Sequence, residues 1–175
     1  MGITANDIKQ LREMTSCGVM DCKNALEKAG GDKEKAKEFL KKRGLELAAK
    51  KGSRPCAEGR IEAYIHAGAK LGVLVEINCE TDFVARSEEF IQFTKDVAMQ
   101  IAAANPKYVK KEDIPEGVLA EQKDPETFIK ESCLMEQAFI KDTKMTIQDC
   151  LNSIIAKVGE NMLINRFLRY KVNEV

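Results

Sequence analysis

The segment RIEAYIHAGAKLGVLVEINC, residues 60–79, decides the fold. Its first part alternates apolar and polar residues, and this period of two predicts a half-buried strand. The glycine-containing GAK at 68–70 then makes a turn, so the two halves together predict a β-hairpin. In the first strand, apolar Ile61, Ala63, Ile65 and Ala67 alternate with Arg60, Glu62, Tyr64 and His66. In the second strand, the side chains expected to face the core are Leu71, Val73, Val75 and Ile77.

Helices and one more strand are predicted after the hairpin. Ser87 is followed by Glu88 and Glu89, which predicts a helix start, and Asn105-Pro106 ends that helix. The polar segment 106–123 is interpreted as a loop, and Asp124-Pro125 restarts a helix. Another helix begins at the capping box of Thr146 and Asp149 and ends at Gly159. A last strand is expected to carry Met162, Ile164, Leu168, Tyr170 and Val172 on one face.

These elements predict an α+β core at residues 60–175, a small antiparallel sheet covered by helices on one face. The residues before it show helical spacing instead. Thr4 and Asp7 form a capping box, the Gly30-Gly31 pair ends a second helix, and Asp32 caps a third. Residues 1–51 therefore predict a three-helix module, and the glycine-, serine- and proline-containing stretch at 52–59 is interpreted as a linker.

Composition excludes several classes of function. The 175 residues are 44% hydrophobic, and 28 basic residues balance 28 acidic ones, so charge alone indicates no nucleic-acid partner. No apolar run approaches the roughly 20 residues that cross a bilayer, and no leader pattern is seen, so a cytoplasmic protein is expected. Six cysteines without a CxxC pair, together with the single His66, predict no metal site. No phosphate-binding glycine motif is present, so no cofactor, small-molecule substrate or enzymatic activity is expected.

Five segments resemble one family in its own order. They are IKQLREMTSCGVMDCKNAL, EINCETDFVAR, NPKYV, LMEQAFIKD and GENMLINRF. The chain is similar to the short form of bacterial elongation factor Ts, the guanine-nucleotide exchange factor of elongation factor Tu. The resemblance implies an N-terminal module like a ubiquitin-associated domain, a linker and an α+β dimerisation-type core. It also implies a translation elongation factor that promotes GDP release and allows GTP to rebind.

In the family the TDFV turn acts as a wedge, so the resemblance assigns Thr81, Asp82, Phe83 and Val84 to partner binding. Asp82 and Phe83 would enter the partner's GTP-binding domain near its Mg²⁺ and phosphate site, while Thr81 and Val84 would hold the turn. The alternative is that Phe83 folds back as a hydrophobic staple before the helix at Ser87.

The resemblance also gives the N-terminal module a set of contacts to the same partner. These candidates are Leu11, Arg12, Thr15, Gly18, Met20 and Lys23. Core packing is the alternative for Leu11 and Met20. The chain departs from the family's Thr-Gly-Ala-Gly with Thr15-Ser16-Cys17-Gly18, carries Ala138 where proline is usual, and looks shortened between Val118 and Phe128.

A homodimer, or a two-to-two complex with the partner, is implied for short family members. Other classes remain open at the level of sequence. An adaptor would use the first fifty residues alone, an RNA-binding protein would use the lysine-rich third helix, and a cysteine-dependent enzyme would need a thiol with a low pKa.

Overall fold

The computed structural model describes residues 3–15 and 17–174. Its contacts divide the chain into two compact units. The first runs from the N-terminus to Ser53 and includes Asn152–Glu160, and the second contains Arg54–Leu151 and the residues from Asn161 onward. The division after Ser53 falls inside the segment interpreted as a linker, and the finer domain boundaries stay a prediction.

Three helices form the N-terminal part of the first unit: α1 at Ala5–Thr15, α2 at Val19–Lys28 and α3 at Lys33–Lys51. The predicted capping box at the first helix is present, since the Thr4 N–H donates to Asp7 Oδ2 (3.1 Å) and the Asp7 N–H donates to Thr4 Oγ1 (3.2 Å). Asp32 accepts hydrogen bonds from two N–H groups at the start of α3. The helices enclose a buried cluster of Leu11, Cys22, Ala25, Leu26, Ala36 and Leu40.

The second unit contains the strands β1 at Glu58–Ile65, β2 at Leu71–Cys79, β3 at Ala138–Phe139, β4 at Asp142–Thr146 and β5 at Met162–Lys171. An antiparallel sheet has the order β1-β2-β5, and β3 pairs with β4 in a separate hairpin. The hairpin and the last strand predicted from the sequence are therefore confirmed, as is the α+β class. The β3–β4 hairpin was not predicted.

The remaining helices are α4 at Asp82–Ala85, α5 at Glu88–Ala104, α6 at Glu116–Ala120, α7 at Pro125–Ser132 and α8 at Ile147–Val158. Helix α5 packs against β1 and β2 and buries Phe90, Phe93, Val97 and Ile101. The interpretation of 106–123 as loop was wrong in part, because α6 and a 3₁₀ turn at Lys111–Asp113 lie there. Pro115 precedes α6 with φ −59°, a backbone value that suits a helix start.

The face of β1 that packs against the core is the polar one, not the apolar one. In an antiparallel pair, directly opposite residues share a face. Val75 is buried against α5 and lies opposite Glu62, so the polar set of β1 faces inward. Ile61 and Ile65 are each 65% exposed on the other side. The half-buried strand exists, but its half-buried residues are Arg60, Glu62 and Tyr64.

The single predicted face of β5 is also wrong, because a β-bulge interrupts the strand. Ile77 pairs with Ile164 and Glu76 pairs with Arg166, which leaves Asn165 as an extra residue. One extra residue reverses the alternation of the faces. Met162 and Ile164 are buried as expected, whereas the apolar residues beyond the bulge, Leu168, Tyr170 and Val172, are exposed.

Candidate functional site

The TDFV segment forms the one-turn helix α4 directly after the end of β2. Thr81 is its N-cap, with φ −128° and ψ 155°, and its hydroxyl accepts a hydrogen bond from the Val84 N–H at 3.4 Å. Cys79, the last residue of β2, is fully buried and its Sγ lies 3.1 Å from the Thr81 carbonyl oxygen. The turn therefore begins from a strand end that the core holds in place.

The two apolar residues of α4 point in opposite directions. Phe83 is 81% exposed, whereas Val84 is 4% exposed and packs inward. The alternative in which Phe83 folds back as a staple is wrong, because a stapled ring would be largely covered. Asp82 is also exposed, and its carboxylate pairs with Arg86 at 2.9 Å across one helical turn.

Ser87 joins the turn to the long helix behind it. Its hydroxyl donates to the Val84 carbonyl oxygen at 2.8 Å and accepts from the Phe90 N–H at 3.3 Å. The same side chain thus closes α4 and caps α5. This arrangement presents a large aromatic side chain and a carboxylate at the tip of a short, well-anchored turn.

The structure separates the six candidate residues of the N-terminal module. Arg12, Gly18, Met20 and Lys23 are exposed, and Met20 exposes 62% of its surface. Thr15 is half-buried, and its hydroxyl donates to the Leu11 carbonyl oxygen at 2.7 Å. Leu11 is fully buried in the helical cluster, so the core-packing alternative describes its side chain. Ser16, part of the departure from the family pattern, lies outside the described residues.

Two apolar residues that the sequence interpretation did not select lie beside these candidates. Met14 is 53% exposed at the end of α1, and Val19 is 49% exposed at the start of α2. Met20 is exposed as well, and we call these three exposed apolar residues the module patch. Helical spacing aligns Met14 with Leu11 and Val19 with Cys22, so the sequence carried no signal that either residue would be exposed.

Comparison with known proteins identifies the family. A family model described as "Elongation factor TS" matches residues 6–127. The chain is 50% identical to elongation factor Ts of Caldanaerobacter subterraneus subsp. tengcongensis, with 98% of each chain covered. It is 49% identical to elongation factor Ts of Carboxydothermus hydrogenoformans, with 98% of this chain and 90% of that one covered. The chain belongs to the elongation factor Ts family.

Membership of the elongation factor Ts family supports the function expected from the resemblance, guanine-nucleotide exchange for elongation factor Tu in translation elongation. Exchange of this kind releases and rebinds a nucleotide, and it is not catalysis of a chemical reaction in the usual sense. The match begins in α1 and includes all of α4. It therefore spans both the module patch and the TDFV turn.

Burial opposes the reactivity of three of the six cysteine thiols. Burial raises the pKa of the Cys22 and Cys133 thiols, and it raises the pKa of Cys150 to about 11. A nucleophilic cysteine needs the opposite shift, which a nearby cation or helix N-terminus would provide. Within residues 3–15 and 17–174, no group of three His, Cys, Asp or Glu side chains is arranged to hold a metal ion.

None of the helices in the described part of the chain is both long and apolar enough to span a bilayer. The longest, α3, has 19 residues, but eleven of them carry charge: Lys33, Glu34, Lys35, Lys37, Glu38, Lys41, Lys42, Arg43, Glu46, Lys50 and Lys51.

Proposed function

We propose that this chain binds elongation factor Tu in its GDP-bound form and promotes GDP release by inserting Asp82 and Phe83 beside the partner's Mg²⁺ and phosphate site. The exposure of Phe83 supports this proposal most directly. A phenylalanine that is 81% exposed gains nothing from the fold of its own chain. A binding role gives a physical reason for placing an aromatic ring there.

Burial of the Phe83 ring in the partner can supply enough free energy to displace packed helices. Full burial of a phenylalanine side chain is worth about 1.5–3 kcal/mol. Packed helices have discrete arrangements rather than a continuum, so an inserted ring can favour a displaced arrangement of the partner's helices. The displacement disturbs the oxygen ligands and waters that hold Mg²⁺, and the nucleotide phosphates lose their counter-ion.

Asp82 adds an electrostatic contribution. Its carboxylate lies one residue from the ring and is held toward Arg86 at the helix end. Once the partner covers the turn, water no longer screens this charge fully, and a carboxylate close to bound phosphates disfavours them. Thr81 and Val84 hold the turn, one by capping α4 and the other by packing inward.

The coupling between the factor and the nucleotide is reciprocal. If the factor weakens GDP binding by a certain ratio, GDP weakens the binding of the factor by the same ratio. The complex is therefore an intermediate that either nucleotide can dissolve. Exchange proceeds toward the GTP form when GTP is in excess.

The N-terminal module grips the same GTP-binding domain in this proposal. Arg12 and Lys23 offer exposed cations, Met20 offers apolar contact, and Gly18 lets a partner approach the backbone closely. Thr15 and the buried Leu11 act through the shape of the loop that they support. The polarizable methionine side chains of the module patch suit an adaptable contact.

Release of a fluorescent GDP analogue from elongation factor Tu tests the proposal. The wild-type chain is expected to accelerate release, and Phe83→Ala is expected to lose most of that acceleration while remaining folded. Phe39→Ala is the matched control, because Phe39 is an exposed phenylalanine (43%) on α3, far in sequence from the turn. Equal rates for Phe83→Ala and wild type would reject the wedge.

A homodimer, with a two-to-two complex as its consequence, is the second part of the proposal. The sheet face opposite α5, which we call the outer face, carries exposed apolar residues on all three strands, together with the Glu76–Arg166 pair. It exposes Ile61, Ile65, Leu74, Leu168, Tyr170 and Val172, and a shallow groove of about 390 Å³ lies along it at Leu71–Leu74. Exposed apolar surface of this kind indicates an interaction site.

A second copy suits the outer face because its charges are already neutralised within one chain. Glu76 accepts hydrogen bonds from Arg166 at 2.7 Å and from Asn165 at 2.9 Å, so two outer faces can meet without opposing unpaired carboxylates. An isologous pair of sheets would bury the same residues on both copies. Sedimentation equilibrium tests this assembly. Leu168→Glu on the outer face is expected to be monomeric, whereas the control Leu45→Glu on α3 is expected to match wild type.

The proposal places the chain in the cytoplasm, where translation elongation occurs, as a binding protein that changes no covalent bond. It assigns no direct contact to nucleic acid, membrane or a small-molecule substrate. If the chain were instead an adaptor, residues 1–51 alone would bind the partner as well as the whole chain does. If it were an RNA-binding protein, its affinity for RNA would fall steeply with salt.

A further inference from the structure

Glu80 is the residue between the end of β2 and the N-cap of α4, and it is held from two sides. Its Oε1 accepts a hydrogen bond from the backbone N–H of Asn161 at 2.5 Å and lies 3.5 Å from the Arg54 guanidinium. Its side chain is 22% exposed. A charged group that is this covered and paired stabilises one local backbone arrangement.

Asn161 and Arg54, which both contact Glu80, also contact each other. The Asn161 amide donates to the Arg54 carbonyl oxygen at 2.8 Å, and Asn161 is only 4% exposed. We call Arg54, Glu80 and Asn161 the clamp. All three residues belong to the second unit, and they join the segment before β1, the end of β2 and the start of β5.

The clamp lies one residue beyond the last paired position of the sheet. Cys79 is opposite both Glu58 of β1 and Met162 of β5, so the sheet fixes β2 up to this point. Thr81 begins the capping of α4 on the other side. Glu80 therefore joins the last paired residue of β2 to the N-cap of α4, and its contacts contribute to the direction of α4 relative to the sheet.

We infer that Glu80, acting through Arg54 and Asn161, is a positioning residue that holds the Phe83 ring in the direction needed to enter the partner; this inference rests on the proposed wedge. When the ring displaces the partner's helices, the partner also pushes back on α4. If α4 can shift in response, the displacement of the partner is smaller and GDP release is accelerated less. A pre-organised turn also avoids the entropic cost of ordering a loop during binding.

The geometry distinguishes this role from a contact with the partner. The Glu80 carboxylate points to Asn161 and Arg54, whereas Phe83 projects outward. Loss of the clamp should therefore act on the step after binding. We expect it to lower the maximal rate of GDP release at saturating factor, and to change the half-saturating concentration much less, because the N-terminal module still binds.

The test compares GDP release from elongation factor Tu across Glu80→Ala, Glu80→Gln, Phe83→Ala and the double variant Glu80→Ala/Phe83→Ala. Glu80→Ala is expected to lower the maximal rate by roughly fivefold or more, in the usual range of coupling between sites. Glu80→Gln keeps an oxygen acceptor for the Asn161 N–H and is expected to restore most of the rate. In the Phe83→Ala background, removal of Glu80 is expected to cause no further loss.

Asp96→Ala is the matched control for a lost ion pair. The Asp96 side chain is 20% exposed and pairs with Lys141 at 2.7 Å, but it lies on α5, away from the turn. Its maximal release rate is expected to match wild type. Thermal unfolding by circular dichroism checks each variant. If Glu80→Ala does not fold, Asn161→Ala, which removes the side-chain bond to the Arg54 carbonyl oxygen, takes its place as the variant that loosens the clamp.

The outcomes separate this inference from the proposed function. If Phe83→Ala slows release but Glu80→Ala does not, the clamp is overturned and the wedge stands. Independent, multiplying effects of the two substitutions would also overturn the clamp, since Glu80 would then not act through the ring. If Phe83→Ala itself has no effect, the wedge fails first, and the inference about the clamp falls with it.

Discussion

Phe83 and Val84 are neighbours in one short helix, yet Phe83 exposes 81% of its surface and Val84 exposes 4%. The same turn therefore contains one residue that the fold uses and one that it leaves free. Substitution of Phe83 by alanine is expected to change the free energy of unfolding by no more than about 0.5 kcal/mol. Urea unfolding measures this directly, and a much larger loss would show that the ring packs against its own chain.

Thr81→Ala is expected to destabilise α4 by about 0.5–2 kcal/mol, the usual cost of losing an N-cap side chain. The Thr81 hydroxyl accepts the Val84 N–H, and alanine cannot replace it. Because α4 is only four residues long, we expect the exchange rate to fall as well. Thr81→Ser retains the oxygen, so a serine variant as slow as the alanine variant would argue against capping as the cause.

Ile155 and Ile154 provide a matched pair for core stability. Ile155 is 3% exposed, whereas Ile154, its neighbour in α8, is half-buried. Ile155→Ala is expected to cost about 2–5 kcal/mol and Ile154→Ala clearly less. Denaturant midpoints with unchanged m-values give the comparison, and equal losses would contradict the assignment of burial.

Asp7 makes part of the stability of the N-terminal module dependent on pH. Hydrogen bonds from the side chain and backbone of Thr4, together with Lys33, hold the pKa of Asp7 below its ordinary value. A lowered pKa stabilises the fold above the ordinary value, and this contribution is lost as pH falls through the lowered pKa. Carboxyl titration by NMR should show the pKa of Asp7 rise in Thr4→Val, and no change would contradict the capping box as its cause.

Cys150 is expected to react slowly with iodoacetamide at pH 8. Burial raises its pKa to about 11, so the thiolate that reacts is scarce at that pH. The rate should increase as pH rises toward that value. Mass spectrometry of the labelled peptide follows the reaction, and rapid labelling at neutral pH would revive the hypothesis of a cysteine-dependent activity.

Local signals in the sequence predicted where helices begin and which segments form strands. The caps at Thr4, Asp32, Ser87, Asp124 and Thr146 are all present, because each depends on a side chain and an N–H group within three residues. The α+β class and the β1–β2 hairpin were predicted for the same reason. The assignment of Asp82 and Phe83 as a wedge after β2 depended on the family resemblance. The role of these residues in nucleotide exchange stays a prediction.

The sequence by itself determined the helix caps, the strands of the three-stranded sheet and the family, since these depend on short patterns. The buried face of β2, with Val73, Val75 and Ile77, was predicted, but only the tertiary structure decided which residues of β1 and β5 share it, because that depends on where α5 packs and on the bulge at Asn165. It also decided that Phe83 stays exposed and that Arg54, Glu80 and Asn161 meet. Contacts between residues as far apart as Glu80 and Asn161 form only when the chain folds, so no local pattern encodes them.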